Sequence, residues 1–192
     1  LIRIKSISEQ LRLGILFLPD LQTQHSELMG RLLEKKGSKL LLEQLLNTQE
    51  ELLFYDPKGK PFLKGRQEQI SISHSHDYLV ILVNKTSNTG VDIERIREKV
   101  LGVRHKFLSE EELVFCGQDV ERHIRFWAAK EAVYKWYGKK ELDFKTHLHV
   151  PAHANVERFE AQLRKDGQLL RFQMGSEKID NYILVYLLHE IY

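Results

Sequence analysis

A single cysteine, Cys116, stands among the 192 residues, so the chain can close no internal disulfide and build no multi-cysteine metal site. Long apolar runs are missing as well. Stretches such as Leu79–Val83 and Ile183–Leu188 fall far short of the roughly 20 residues that a membrane helix needs. Leu13–Leu18 is too short for a secretory signal core and follows Arg12, the wrong context for one. Charge of one sign is scarce: the formal net charge is +2, which by itself gives no electrostatic footprint for nucleic acid. What remains is 42% hydrophobic and 29% charged residues, an ordinary globular balance. The expectation is a soluble, cytoplasmic protein of one large or two small domains. The chain opens at Leu1 rather than Met, and a few natural residues are expected to precede it.

Apolar and charged side chains alternate over residues 1–18, which predicts an opening strand or two. From about Ser26 to Leu46 leucines recur at helical spacing, and Arg31, Lys35 and Lys39 form a basic stripe at i, i+4 and i+8,. Residues 55–61 (Tyr-Asp-Pro-Lys-Gly-Lys-Pro) are dense in turn formers and predict a surface loop. Two strand pieces are expected in Ile70–Asn84 around Ser73–Asp77, and another over Gly90–Ile93. Helices are expected over Ser109–Cys116 and Glu121–Tyr137, the first opened by a capping box between Ser109 and Glu112. Beyond Gly138 the pattern turns to strands, with a hairpin at Asp166–Gly167. Asp77–Val83 is echoed by Asn181–Leu187 about a hundred residues later. That distance suggests a duplicated α+β unit, two similar halves about a pseudo-twofold axis, divided into 1–88 and 89–192.

Three segments carry chemistry. In Gly90-Val91-Asp92-Ile93-Glu94 the two carboxylates sit at i and i+2 of a strand and share a face. Such a pair is either a solvated edge or a set of hard oxygen ligands suited to Mg²⁺. On the expected helix through Phe126–Lys135, Trp127, Glu131 and Lys135 stack at successive turns. Glu131 then offers a third carboxylate and Lys135 a phosphate contact, unless the two form only a surface ion pair. Ile70-Ser71-Ile72-Ser73-His74-Ser75 ends a strand in hydroxyls and an imidazole, a set suited to phosphate. Zinc at His74 and His76, or at His147, His149 and His153, is the competing use of the histidines.

Ser73-His74-Ser75, the Gly90–Glu94 segment and Phe126-Trp127-x-x-Lys130-Glu131-x-x-x-Lys135 come in an order that resembles the 4'-phosphopantetheinyl transferase superfamily, in its longer, surfactin-synthetase-priming type. Gly59-Lys60-Pro61 and Phe107-Leu108-Ser109-Glu110-Glu111-Glu112 agree with it. The resemblance implies that family's α+β fold and an Mg²⁺-dependent enzyme. Such an enzyme transfers the phosphopantetheine of coenzyme A to a serine of an apo acyl or peptidyl carrier protein. It implies Asp92, Glu94 and Glu131 as metal ligands, and Glu112 or Glu131 as the base. Lys39, Ser73 and His74 would stand near the 3'-phosphate, Lys60 and Pro61 against the adenine, and Lys130 and Lys135 near the diphosphate. Lys39 replaces an arginine of relatives, which gives up bidentate phosphate contact but not charge. Ile72 stands where relatives often have a polar residue.

Arg95, Arg97, Lys99, Arg104 and Lys106, against the single acid Glu98, suggest either a docking rim for an acidic carrier protein or a solvated loop. A monomer with a whole site is expected, with neither nucleic acid nor membrane as partner. Two rivals are a non-catalytic coenzyme A-binding relative, which should lack a metal ligand, and a nucleic-acid-binding protein. The second would place aromatics among the basic residues, and none precedes Phe107 there.

Overall fold

The computed structural model describes residues 2–139, 141–152 and 155–192. Among them no helix is long and apolar enough to cross a membrane. The chain divides into two compact units, Leu1–Thr89 and Gly90–Tyr192, each a helix layer on an antiparallel sheet in a mixed α+β fold.

In the first unit β1 (Ile2–Ser6) and β2 (Leu11–Phe17) lead into α1 (Leu18–Gln24) and α2 (Arg31–Leu46). A two-stranded ribbon follows, β3 (Leu53–Tyr55) with β4 (Pro61–Leu63), then the hairpin β5 (Gln69–Ser75) and β6 (Tyr78–Asn84). The sheet order is β1-β2-β6-β5. Helix α2 turns Leu33, Leu41, Leu42 and Leu45 into a core with Ile70, Leu79, Ile81 and Val83. The helix expected from Ser26 begins only at Arg31, after Gly30 at positive φ. Short α1 lies upstream of it, with Pro19 in its first turn, a position where its missing N–H costs nothing. The loop at 55–61 is the tip of the ribbon, closed by Asp56 Oδ1, which accepts from the Lys58 and Lys60 N–H groups at 2.8 Å each. Strand β5 runs on through Ser75, so His74 lies within the strand, and the turn falls at His76–Asp77.

In the second unit β7 (Val91–Arg95) precedes α3 (Lys99–Val103), a 3₁₀ turn, α4 (Glu110–Cys116) and α5 (Val120–Tyr137). Strands β8 (Leu148–His149), β9 (Arg158–Lys165), β10 (Gln168–Ile179) and β11 (Tyr182–Ile191) complete a sheet of order β7-β11-β10-β9-β8. Asp166 and Gly167 both take positive φ in the β9–β10 turn, which matches the strand twist. Each unit thus inserts its last strand between the strand preceding the helices and its own hairpin partner. The echoed segments are those two central strands, β6 and β11.

Helix α5 lies close on its sheet because Ala128, Ala129 and Ala132 are fully buried beneath it. Gly90 completes the fit: a Cβ there would stand 1.9 Å from the Ala132 carbonyl oxygen. The clash is with backbone, so the helix itself would have to move. Gly90→Ala is expected to cost about 3 kcal/mol, the upper end of ordinary overpacking, read as a lower urea midpoint. An unchanged midpoint would mean that α5 is not seated so closely.

Candidate active site

Strand alternation puts Val91 and Ile93 on one face of β7, fully buried, and Asp92 and Glu94 on the other. That second face is the one α5 covers. Lys135 Nζ donates to Asp92 Oδ1 at 2.7 Å and to the Val91 carbonyl at 3.1 Å. Two turns earlier, Trp127 Nε1 donates to Glu94 Oε1 at 3.0 Å. Glu131 lies one turn from each, half-buried. Its pKa is pushed up to about 7 by burial first and then by the Asp92 charge, with Glu94 adding to the rise and Lys135 opposing it. Three carboxylates therefore share one neighbourhood with Lys135 as the cation paired there. Among the described residues no three such groups close into a preformed metal cage. The excess of negative charge and the all-oxygen donor set nonetheless fit a hard divalent cation.

Glu112 and Lys130 are not part of this cluster. Both side chains are 1% exposed and they pair at 2.7 Å. Glu112 Oε2 also accepts the Ser109 N–H at 2.7 Å, closing the expected capping box. Its Oε1 accepts the Val150 N–H at 2.8 Å and faces His149 Nδ1 at 3.4 Å. Burial alone would raise the Glu112 pKa, but the hydrogen bond from His149 and the charge and hydrogen bond of Lys130 hold it low. Lys130 Nζ also donates to the carbonyls of Phe107 (2.6 Å) and Phe144 (2.9 Å). Glu112, expected as base, and Lys130, expected as diphosphate contact, are thus placed together in a buried ion pair of their own. Capping and ion pairing consume the acceptor sites of the one, and three oxygens surround the ammonium of the other.

The first unit holds a cavity of about 660 Å³. Arg31, Lys35, Lys36 and Lys39 of α2 line it with His74 and Tyr55, over an apolar floor that includes Leu42, Leu53 and Ile72. His74 Nδ1 lies 3.4 Å from Glu34, and Lys39 reaches Glu43 only at 4.0 Å. Ser73 is on the opposite face of β5, buried with Ser71 and Ser75, so its side chain does not share the cavity with its neighbour. Lys60 and Pro61 do not line it either. They sit at the ribbon, where Pro61 pairs with Tyr55 and burial lowers the Lys60 pKa against the opposing pull of Asp56. Tyr55 and Glu34 were missed from sequence, since an aromatic beside a turn and an acid in a basic helix carry no distinctive signal.

The basic stretch after β7 folds as α3 and the 3₁₀ turn Arg104–Lys106 rather than as a loop. A second cavity, about 320 Å³, opens there between Val100, Val103, Phe107 and Ile124, with Arg95, Arg97, Lys99 and Lys106 around it. Glu94 and Trp127 form part of its wall. Arg104 is used differently, donating to the Gly117 carbonyl at 3.1 Å at the end of α4. The zinc reading gains nothing: His147 Nδ1 accepts the Asp143 N–H at 2.9 Å, His149 faces Glu112, and His153 lies outside the described residues.

Comparison with known proteins points one way. A family model of the 4'-phosphopantetheinyl transferase superfamily matches residues 88–187. The chain is also 30% identical over 122 residues to 4'-phosphopantetheinyl transferase gsp of Aneurinibacillus migulanus, covering 60% of this chain and 49% of that protein. It thus spans about half the length of that curated relative.

Proposed function

The chain belongs to the 4'-phosphopantetheinyl transferase superfamily, and from that membership we propose that it transfers phosphopantetheine from coenzyme A to a serine of an apo carrier protein. The observation that carries the reading is the cluster of Asp92, Glu94 and Glu131 beside Lys135. The serine Oγ attacks the β-phosphorus, the bond from that phosphorus to the bridging oxygen breaks, and adenosine 3',5'-bisphosphate leaves with that oxygen. Both reactant and leaving group are anionic, so positioning and charge neutralisation govern the rate.

Asp92, Glu94 and Glu131 would hold Mg²⁺. When bound, the ion neutralises diphosphate charge. Lys135 holds Asp92 and adds a fixed positive charge where negative charge develops on the leaving group. The serine proton needs an acceptor, and Glu131 takes that role in place of Glu112, being half-buried rather than sealed in an ion pair. The α2 cavity supplies cations for the 3'-phosphate and apolar surface for the adenosine, with Lys39 and His74 as its phosphate contacts. The basic and apolar cavity beside Glu94 suits an acidic carrier protein.

Incubation with coenzyme A, Mg²⁺ and apo carrier proteins tests the activity directly by intact mass. A gain of one phosphopantetheine is expected, dependent on the carrier serine. Chelation of the metal should stop it. Placement of the donor has its own test. Lys39→Ala and His74→Ala are expected to raise KM for coenzyme A several-fold with little change in kcat, since contacts far from the reacting phosphorus bind ground and transition state alike. Dephospho-coenzyme A, lacking the 3'-phosphate, should be nearly indifferent to both changes. Equal losses with the two donors would place the phosphate elsewhere.

A further inference from the structure

We propose that Trp127 is a positioning residue whose indole N–H fixes the orientation of Glu94 toward the divalent cation. This rests on the reading of Asp92, Glu94 and Glu131 as the ligand set and adds a group outside it. The indole donates to Glu94 Oε1 at 3.0 Å. A carboxylate ligand held through one oxygen presents the other in a defined direction, and such supporting bonds govern metal affinity. Glu94 sits on a strand and is half-buried, so its side chain has several staggered rotamers to choose among.

The indole can act this way only if it is itself held. Phe107 meets it edge-on, with centroids 5.0 Å apart and planes at 63°. Phe144 stacks on it at 5.2 Å and 23°, and is backed in turn by Tyr134 at 5.1 Å. The backbone carbonyls of these same two phenylalanines are the acceptors of Lys130, at 2.6 and 2.9 Å. One buried ammonium, anchored on Glu112, therefore fastens both flanks of the indole. Phe107 lies 20 positions and Phe144 17 positions along the chain from Trp127, so their meeting comes from the fold rather than from local sequence. Ordinary core packing explains the stacking. It does not explain why the N–H edge is turned to a carboxylate on the metal strand.

The test separates the N–H from the ring. Trp127→Phe keeps an aromatic between the phenylalanines and removes the donor. Replacement of Trp127 by β-(3-benzothienyl)alanine keeps the bicyclic shape and removes the donor alone. Mn²⁺ affinity of the protein without donor or carrier is measured by calorimetry, beside Glu94→Gln and the melting temperature of each. Both Trp127 replacements are expected to weaken Mn²⁺ binding about tenfold or more, and the benzothienyl protein should melt with the parent. If Glu94→Gln loses affinity while the benzothienyl protein binds Mn²⁺ like the parent, Trp127 only packs and the proposal falls with the ligand set intact. If Glu94→Gln binds like the parent, the ligand set itself is wrong and the proposal falls with it.

Discussion

Glu131→Gln is expected to lower transfer by about 10²–10³-fold, the scale of removing one preorganised charge-stabilising group, and yet to make the metal-free protein more stable. The folded pKa of about 7 lies above the ordinary 4.5, so the fold favours the protonated acid. The sign follows from proton linkage: between those values the native state holds more protons than the unfolded one. The contribution of Glu131 to stability is therefore full below about pH 4.5 and is lost as pH rises through about 7,. That displacement corresponds to about 3 kcal/mol at pH 8, which glutamine, uncharged, should recover as a rise of several degrees in melting temperature. Lys135→Met should do the opposite. It deletes the cation facing Asp92 and leaves the carboxylates to repel one another, so transfer and metal-free stability both fall. Added Mg²⁺ should raise the melting temperature of the parent but hardly that of Glu131→Gln. Thermal melts from pH 4 to 8, with and without Mg²⁺, check all of this. A Glu131→Gln protein no more stable than the parent at pH 8 would remove the case for crowded carboxylates.

Lys130→Met is the second large effect, and it falls on stability rather than on the donor. Removing one partner of a sealed ion pair leaves the other charge buried and uncompensated, which costs about 3–5 kcal/mol. Glu112 would keep the Ser109 and Val150 N–H groups but lose its charged partner. The Phe107 and Phe144 carbonyls would lose their donor at the same time. A lowered urea midpoint with unchanged KM for coenzyme A in the fraction that folds is expected. An unchanged midpoint with weakened coenzyme A binding would return Lys130 to the diphosphate contact that the family resemblance implies.

Much was determined by the sequence alone, where a single local period governs the outcome. The i, i+2 rule placed Asp92 and Glu94 on one face of β7, and the 3.6-residue repeat aligned Trp127, Glu131 and Lys135 on one face of α5. The Ser109–Glu112 capping box, the Asp166–Gly167 turn and the two echoed central strands followed from local rules of the same kind. Family membership was legible because five short motifs came in order. Only the tertiary structure decided which side chains are spent. Lys130 and Glu131 are adjacent in sequence and equally charged in magnitude, yet a helix turns neighbours by about 100°. One therefore enters a buried pair with Glu112 while the other faces the carboxylates of β7. Ser73 and His74 separate for the corresponding reason in a strand, where successive side chains alternate, and only His74 reaches the basic cavity. Glu112 carried two expectations at once, a cap from the local pattern and a base from the family resemblance. Its two oxygens are shared among the N–H groups of Ser109 and Val150, Lys130 and His149, and all of these donors but Ser109 come from distant parts of the unit. No local period records such a meeting, because it depends on how helices and strands pack.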